Sequence, residues 1–282
     1  MSPRRPVVVI HGGTGWHRGQ RQLTRVRQSL RAISRAAYDY LQTHSACDSA
    51  VFAVRLLEDD PLFNAGTGSA LQQDGRARMS AAVMDGHARR FAAVVNIERV
   101  RNPIVVARAL LDQPDRVLAG PEATGFARSL SLPAWNPITA LRLRQWRQRK
   151  RGTHGTVGAL ALDQRGFLAA ATSTGGKGFE RPGRVSDSGL PVGTYAAREV
   201  AISCTGIGED ILEEGLAVRI AEHVRHGHSL AETVRAIQRG LRRDRRRAGA
   251  ITLDHQGHVA WMTTLPILLA VAQTPRRRVE SF

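Results

Sequence analysis

Cysteine is scarce: Cys47 and Cys204 are the only two in 282 residues. No disulfide framework can therefore hold the chain, and buried reduced thiols are the simpler expectation. Long apolar runs are lacking too. A membrane helix needs roughly 20 apolar residues, and the nearest stretch, 265–271, is far shorter. Residues 7–10 follow Arg4 and Arg5 but are too short for the apolar core of a signal peptide. These absences lead to the expectation of a soluble, cytoplasmic protein. No internal repeat of fixed period is visible. Acidic residues are few, 24 Asp and Glu against 41 Lys and Arg, for a net charge of +17. Such an imbalance bears on solubility and on attraction to polyanions, and carries no information about fold.

What is present is an ordinary globular balance, with 42% hydrophobic and 23% charged residues, enough to build a core without cross-links. Residues 7–10 read as a buried strand running into the glycine-rich loop that begins at His11. Leu23, Val26, Leu30, Ile33 and Ala37 mark one face of a helix over 22–41. Asp48 offers an N-cap for a second helix over 49–57. A loop at 64–68 and a turn at Asp74-Gly75 follow, then a strand over 91–97 and a helix opened by Pro103. Residues 112–153 carry Pro114, Pro121, Pro133 and Pro137 and the basic run 142–151; a surface linker is expected at about 128–153. Strand signals then return in a hairpin over 157–173 and at 200–204. Helices over 209–226 and 230–242 and a hairpin over 250–264 complete the chain. That order suits layered sheets with helices outside.

Chemistry-bearing residues gather at strand ends. Thr156 opens a strand directly after Gly155, at the end of the expected linker, with Gly158 and Ala159 leaving room for close approach. Thr172-Ser173-Thr174-Gly175-Gly176 and Ser203-Cys204-Thr205-Gly206 each end a strand with hydroxyls beside glycine. Arg184 and Asp187, three apart in a Gly-flanked loop, suit the carboxylate and ammonium of an amino acid. Spacing alone leaves each of these beside a plainer reading: a strand-edge β-former or an incidental surface ion pair.

Motifs along nearly the whole chain resemble the plant-type L-asparaginases and isoaspartyl aminopeptidases, which are N-terminal-nucleophile hydrolases. They are Ile10-His11-Gly12-Gly13, the stretch 61–69 with Met84-Asp85-Gly86, Gly155-Thr156-Val157-Gly158-Ala159, then 169–176, 183–188 and 203–206. The resemblance implies an α+β fold, a four-layer αββα sandwich. One domain would mature by self-cleavage between Gly155 and Thr156 into an α part, 1–155, and a β part, 156–282. Thr156 is the implied nucleophile and Thr174 its hydroxyl partner. Thr205 and Gly206 are the implied oxyanion donors, and Arg184 and Asp187 the residues gripping the substrate. The implied substrates are L-asparagine and β-aspartyl dipeptides. No organic cofactor is implied. A structural sodium ion is, held by the backbone carbonyls of Leu57, Glu58, Asp60, Phe63, Ala65 and Thr67. The family pairs such units into a homodimer of αβ units.

The chain departs from the family pattern at Met79-Ser80-Ala81-Ala82, at Ser186 (commonly Gly), and at Thr263-Thr264-Leu265-Pro266-Ile267. Glycosylasparaginase, with the same fold and nucleophile, is the alternative enzyme. A catalytically impaired, polyanion-binding member of the family is the alternative of another class. His255 and His258 have no third ligand and read as turn histidines. His11-Gly12-Gly13 lacks the Lys-Ser/Thr of a phosphate loop and reads as structural. Trp146 within the basic run 142–151 could stack on a base, but the arginines are spread through the chain. Nucleic-acid binding is expected to be weak and non-specific.

Overall fold

Strand β1 (Val7–Thr14) is buried along its whole length, and its side chains divide by parity. Val8 and Ile10 pack with helix residues such as Val26, Leu30 and Val54. Val7 and Val9 pack instead with Ile251 and Leu253 of a second sheet. A strand apolar on both faces must lie between two layers, because successive side chains point to opposite sides. Every layer of the molecule follows from such divisions. The computed structural model describes residues 5–14, 20–148 and 155–282.

Within these residues, β1 is followed by α1 (Gln20–Leu41), α2 (Ala46–Asp59), β2 (Met79–Asp85), β3 (Arg90–Ile97), α3 (Pro103–Leu110), β4 (Val117–Ala119), α4 (Gly120–Ser129) and α5 (Ala140–Arg147). Then come β5 (Val157–Leu162), β6 (Leu168–Thr174), a short turn of 3-10 helix at Asp187–Gly189, β7 (Thr194–Ala196), β8 (Val200–Gly206), α6 (Gly208–Glu214), α7 (Leu216–Arg225) and α8 (Leu230–Arg243). β9 (Ala248–Asp254), β10 (Val259–Thr263), β11 (Leu268–Gln273) and β12 (Arg278–Glu280) close the order. The larger sheet runs β12-β11-β1-β5-β6-β2-β3-β4 and the smaller β10-β9-β8-β7. α1, α2 and α3 cover the outer face of the larger sheet, α7 and α8 that of the smaller. Between the sheets lie Val7, Val9, Leu160, Leu162, Leu168, Ala201, Ile251 and Leu253. This is the αββα sandwich.

Several local expectations need correction. α2 starts earlier than expected, capped by Ser45, whose hydroxyl accepts from the Asp48 N–H at 3.1 Å and donates to the Asp48 carboxylate at 2.7 Å. Asp48 is therefore the third residue of the helix, where an acid favours the first turn. The helix expected over 209–226 is two helices, broken at Gly215, whose φ of +55° ends α6. The run 265–271 contributes to β11, which pairs with β1.

The linker expected at 128–153 contains helix α5, and the segment braces the loop at 61–69. Gly68 N–H donates to the Pro137 carbonyl at 2.8 Å and Trp135 Nε1 to the Thr67 hydroxyl at 3.0 Å. Arg142, only 2% exposed, donates from Nε to the Gly68 carbonyl. Trp146 donates to the Gln73 carbonyl and lies over Gly75, where a Cβ would come within 3.0 Å of its ring. Residues 149–153 lie outside the described residues.

Candidate active site

Thr156 stands where β5 begins, 7% exposed, and its Oγ1 donates to Thr174 Oγ1 at 3.2 Å. The pairing of Val157 with Ser173 sets that meeting, since it puts the start of β5 beside the end of β6. Thr174 Oγ1 also accepts from the Gly176 N–H at 3.1 Å, so its orientation is fixed from both sides. The turn after Thr174 is held in turn by Asn64: Gly175 N–H donates to the Asn64 carbonyl at 2.8 Å, and Asn64 Nδ2 donates to the Gly176 carbonyl. A Cβ on Gly175 would come within 2.5 Å of Ser69, so the loop and the turn fit only with glycine there.

Beside Thr156 a buried polar chain joins the two sheets. His11 Nδ1 accepts from the Gly13 N–H at 3.3 Å, which assigns the ring proton to Nε2, and Nε2 donates to Ser203 Oγ at 3.0 Å. Ser203 Oγ is in turn 2.7 Å from Thr172 Oγ1. Burial pushes the His11 pKa down to about 3, against a backbone hydrogen bond with Thr156 that works the other way. The imidazole is therefore neutral at physiological pH and serves as a fixed donor. Gly158 makes the contact sterically feasible, because a Cβ there would lie 2.0 Å from Ser203 Oγ and 2.5 Å from His11 Nε2.

Ser203 also sets the place of Thr205, two residues further along the same face of β8 and nearer the strand end where Thr156 lies. The Thr205 hydroxyl is buried with no hydrogen-bond partner among the described residues. An unpaired buried hydroxyl is costly. Gly206 follows with φ +138°, and a Cβ on it would strike the Arg247 carbonyl at 2.6 Å.

Arg184, Ser186 and Asp187 crowd the bare Cα of Gly208. A Cβ there would meet Arg184 Nη2 at 2.6 Å, Asp187 Oδ1 at 2.9 Å and Ser186 Oγ at 2.9 Å. A guanidinium and a carboxylate this close, both nearly buried, match the opposite charges on the α-carbon of an amino acid. Burial pushes the Asp187 pKa up to about 6, opposed by the Ser186 hydroxyl and Arg184. The guanidinium is forked onto Glu209, Nε to Oε1 at 2.8 Å and Nη2 to Oε2 at 2.9 Å, and Lys177 Nζ adds a third bond at 2.8 Å. These bonds, Arg184 foremost, hold Glu209 down at about 2. The Nη1 edge of the fork carries no contact from Glu209, so a second carboxylate has an edge to bind.

The loop that follows α2 lies behind β6. Glu58, fully buried, accepts from Ser173 Oγ at 2.6 Å and from the Ile104 N–H at 3.1 Å. Burial lifts its pKa to about 8. Of the carbonyls named above, that of Glu58 accepts from the Thr67 N–H at 2.8 Å and that of Asp60 from the Phe63 N–H at 3.1 Å. Phe63 O receives Arg142 Nη2 at 3.5 Å. The two histidines in the turn between β9 and β10 take other partners: His258 Nδ1 pairs with Asp254 at 2.9 Å and His255 N–H donates to the Glu199 carbonyl.

Comparison with known proteins identifies the family. A family model described as asparaginase matches residues 4–154 and 148–280. The isoaspartyl peptidase/L-asparaginase of Synechocystis sp. is 43% identical over 290 residues, covering 95% of this chain and 88% of the relative. The protein of the same name from Nostoc sp. is 44% identical, covering 94% and 91%. The isoaspartyl peptidase of Escherichia coli is 39% identical, covering 90% and 88%. The fold is that of the N-terminal-nucleophile hydrolases, and the protein is a hydrolase. Within that class, the chain belongs to the asparaginase family.

Thr156 and Thr174 are thus in direct contact, Arg184 and Asp187 share one nook, and Thr205 and Gly206 end a strand at the same end of the sandwich. Glu209 and Lys177 escape the sequence reading, while Ser203 stands in it among the strand-end hydroxyls without a role of its own. Glu209 stands next to Gly208 in Thr205-Gly206-Ile207-Gly208-Glu209, and an acid beside a glycine-rich strand end was the available signal.

Proposed function

We propose that the protein is an autoprocessed threonine amidohydrolase acting on the side-chain amide of L-asparagine and the β-peptide bond of β-aspartyl dipeptides, with Thr156 as nucleophile. The observation that carries this reading is the Thr156–Thr174 hydroxyl contact at a strand start directly after Gly155. In the uncut chain Thr156 Oγ1 attacks the Gly155 carbonyl, an ester replaces the peptide bond, and water releases the Gly155 carboxylate. The products are an α part, 1–155, and a β part, 156–282. Thr156 then carries a free amine with an ordinary pKa of about 7.7–8.0, a base on the same residue as the hydroxyl.

That amine takes the hydroxyl proton as Oγ1 attacks the substrate's β-carbonyl. Thr205 Oγ1 and the Gly206 N–H stabilise the oxyanion, where one donor is typically worth roughly 2.7–4 kcal/mol. The ammonium returns its proton to the departing ammonia or amine, and a β-aspartyl ester remains on Thr156. Water, deprotonated by the same amine, releases aspartate. Arg184 takes the α-carboxylate and Asp187 the α-ammonium.

A sodium ion held by the carbonyls of Leu57, Glu58, Asp60, Phe63, Ala65 and Thr67 fits what surrounds them. Leu57 and Glu58 belong to the last turn of α2, whose carbonyls lack helical partners and form the negative end of the helix dipole. Carbonyls that already accept one bond keep a second lone pair. The ion would fix the loop that holds Gly175 and Gly176 behind Thr174. We further read the active form as a homodimer of αβ units in the cytoplasm. No helix among the described residues is long and apolar enough to cross a membrane.

Purified protein is expected to release ammonia from L-asparagine and free aspartate from a β-aspartyl dipeptide. Activity on glycosylated asparagine alone would move the assignment to glycosylasparaginase. The +17 charge is expected to give only weak, sequence-blind nucleic-acid binding that fades by ~200 mM salt, as for a handful of phosphate contacts. Salt-resistant binding in a filter assay, lost on replacing Trp146, Arg147 and Arg149 by alanine, would make the basic segment a site in its own right.

A further inference from the structure

Ser186 stands where the resembling family commonly has glycine, and nothing in that resemblance gives it a role. It is 7% exposed, and its Oγ donates to Asp187 Oδ1 at 2.8 Å. This is the one side-chain hydrogen bond that the Asp187 carboxylate receives among the described residues. The two carboxylate oxygens are unlike. Oδ2 is buried with no hydrogen-bond partner among the described residues, packed where a Cβ on Gly193 would lie 2.6 Å away. Oδ1 lies on the side of Arg184 and Gly208. With one oxygen shut in, the rotation that chooses which oxygen serves a ligand is decided by whatever holds the other.

We propose that Ser186 is a positioning residue of the ammonium site: its hydroxyl fixes Asp187 so that Oδ1 is the oxygen presented to the α-ammonium of a substrate. The proposal rests on the reading of Asp187 given above and adds a residue to it. An anionic oxygen keeps lone pairs for an ammonium while it accepts the Ser186 proton. The same bond favours the ionised carboxylate. The charged or titratable groups facing Asp187 are Arg184 in its own loop, Glu209 on α6 and Cys204 on β8. Arg184 favours ionisation, whereas Glu209 and burial oppose it. Cys204, its thiol pushed far up by burial, stays neutral. Removing the hydroxyl therefore leaves Arg184 as the principal side chain favouring charge on Asp187. The sign follows. Asp187 is raised to about 6 in the folded protein, so substrate binding that needs it ionised is lost as pH falls through that value. Without Ser186 the loss begins at higher pH.

The test compares Ser186→Ala and Ser186→Gly, which remove the same hydroxyl, with wild type and with Asp187→Asn. The readouts are competitive inhibition by L-aspartate and by succinate, its desamino analogue, and the pH dependence of the inhibition by L-aspartate. Conversion into two fragments reports correct folding. Both Ser186 variants are expected to bind L-aspartate about fivefold more weakly, the scale of one hydrogen bond, with succinate affinity unchanged. The pH at which inhibition by L-aspartate is lost on acidification is expected to move up by about half a unit or more. Equal losses for L-aspartate and succinate would show a merely structural role and overturn the proposal. So would variants identical to wild type while Asp187→Asn loses L-aspartate binding, a result that leaves the reading of Asp187 standing. If Asp187→Asn keeps full discrimination between L-aspartate and succinate, the underlying ammonium site is wrong and the proposal falls with it.

Discussion

Replacement of Thr156 by alanine is expected to leave one uncut chain without amidase activity. In the proposed mechanism cleavage and turnover use the same oxygen, so one substitution removes both. Loss of a covalent nucleophile costs on the order of a million-fold in kcat in well-studied hydrolases. The fold should tolerate the change. Thr174 keeps its bond from the Gly176 N–H, and a single lost hydrogen bond costs about 1 kcal/mol. Intact-mass measurement over prolonged incubation decides the matter. Wild type should give two fragments, the smaller beginning at Thr156, while the variant keeps full mass. A wild-type chain that never cuts, or a variant that does, would remove the N-terminal-threonine mechanism.

Arg184→Lys is expected to lower kcat/KM for L-asparagine at least about tenfold while leaving self-cleavage intact. The guanidinium does two things at once in this geometry. Its Nε/Nη2 edge is locked on Glu209 at 2.8 and 2.9 Å, and in the proposed reading its remaining N–H groups hold the substrate's α-carboxylate. Lysine supplies one point of charge and no second edge. Its ammonium would join Lys177 on Glu209 or reach the substrate, and could not do both with planar geometry. Cleavage should survive, because the Gly155–Thr156 bond brings no free α-carboxylate to be gripped. Steady-state kinetics check the first half and a denaturing gel the second. Unchanged kinetics would mean that the carboxylate is held elsewhere.

The layers were readable in the sequence because they rest on local pattern. α1 shows its buried face at the 3–4 spacing of Leu23, Val26, Leu30 and Ile33, and the hairpin β5–β6 shows its turn at Arg165-Gly166. β2 was not readable. Met79-Ser80-Ala81-Ala82-Val83 is poor in branched and aromatic residues, and it is a strand because β3 and β6 pair with it on either side. β11 hid for the opposite reason, being apolar on both faces without alternation.

The site divides in the same way. Thr156, Thr174, Arg184, Asp187 and Thr205 stand in motifs whose order along the chain points to a family. Glu209 has no such sign, because its part is to meet Arg184 from another element, 25 positions along. Gly158 shows only that something comes close. That the neighbours are Ser203 and His11 depends on how one sheet lies over the other.

The strand order of the larger sheet bears on what a cut at Gly155 would make. β1 belongs to the part before the cut, and it lies between β11 and β5, which belong to the part after it; β5 and β6 lie in turn between β1 and β2. The two chains would alternate in groups of strands across the sheet, with no face along which they could part. Separating them means tearing backbone ladders out of the centre of a sheet buried on both sides. Dissociation and unfolding would then be one event, and dilution alone would offer no route to free chains on any timescale shorter than that of global unfolding.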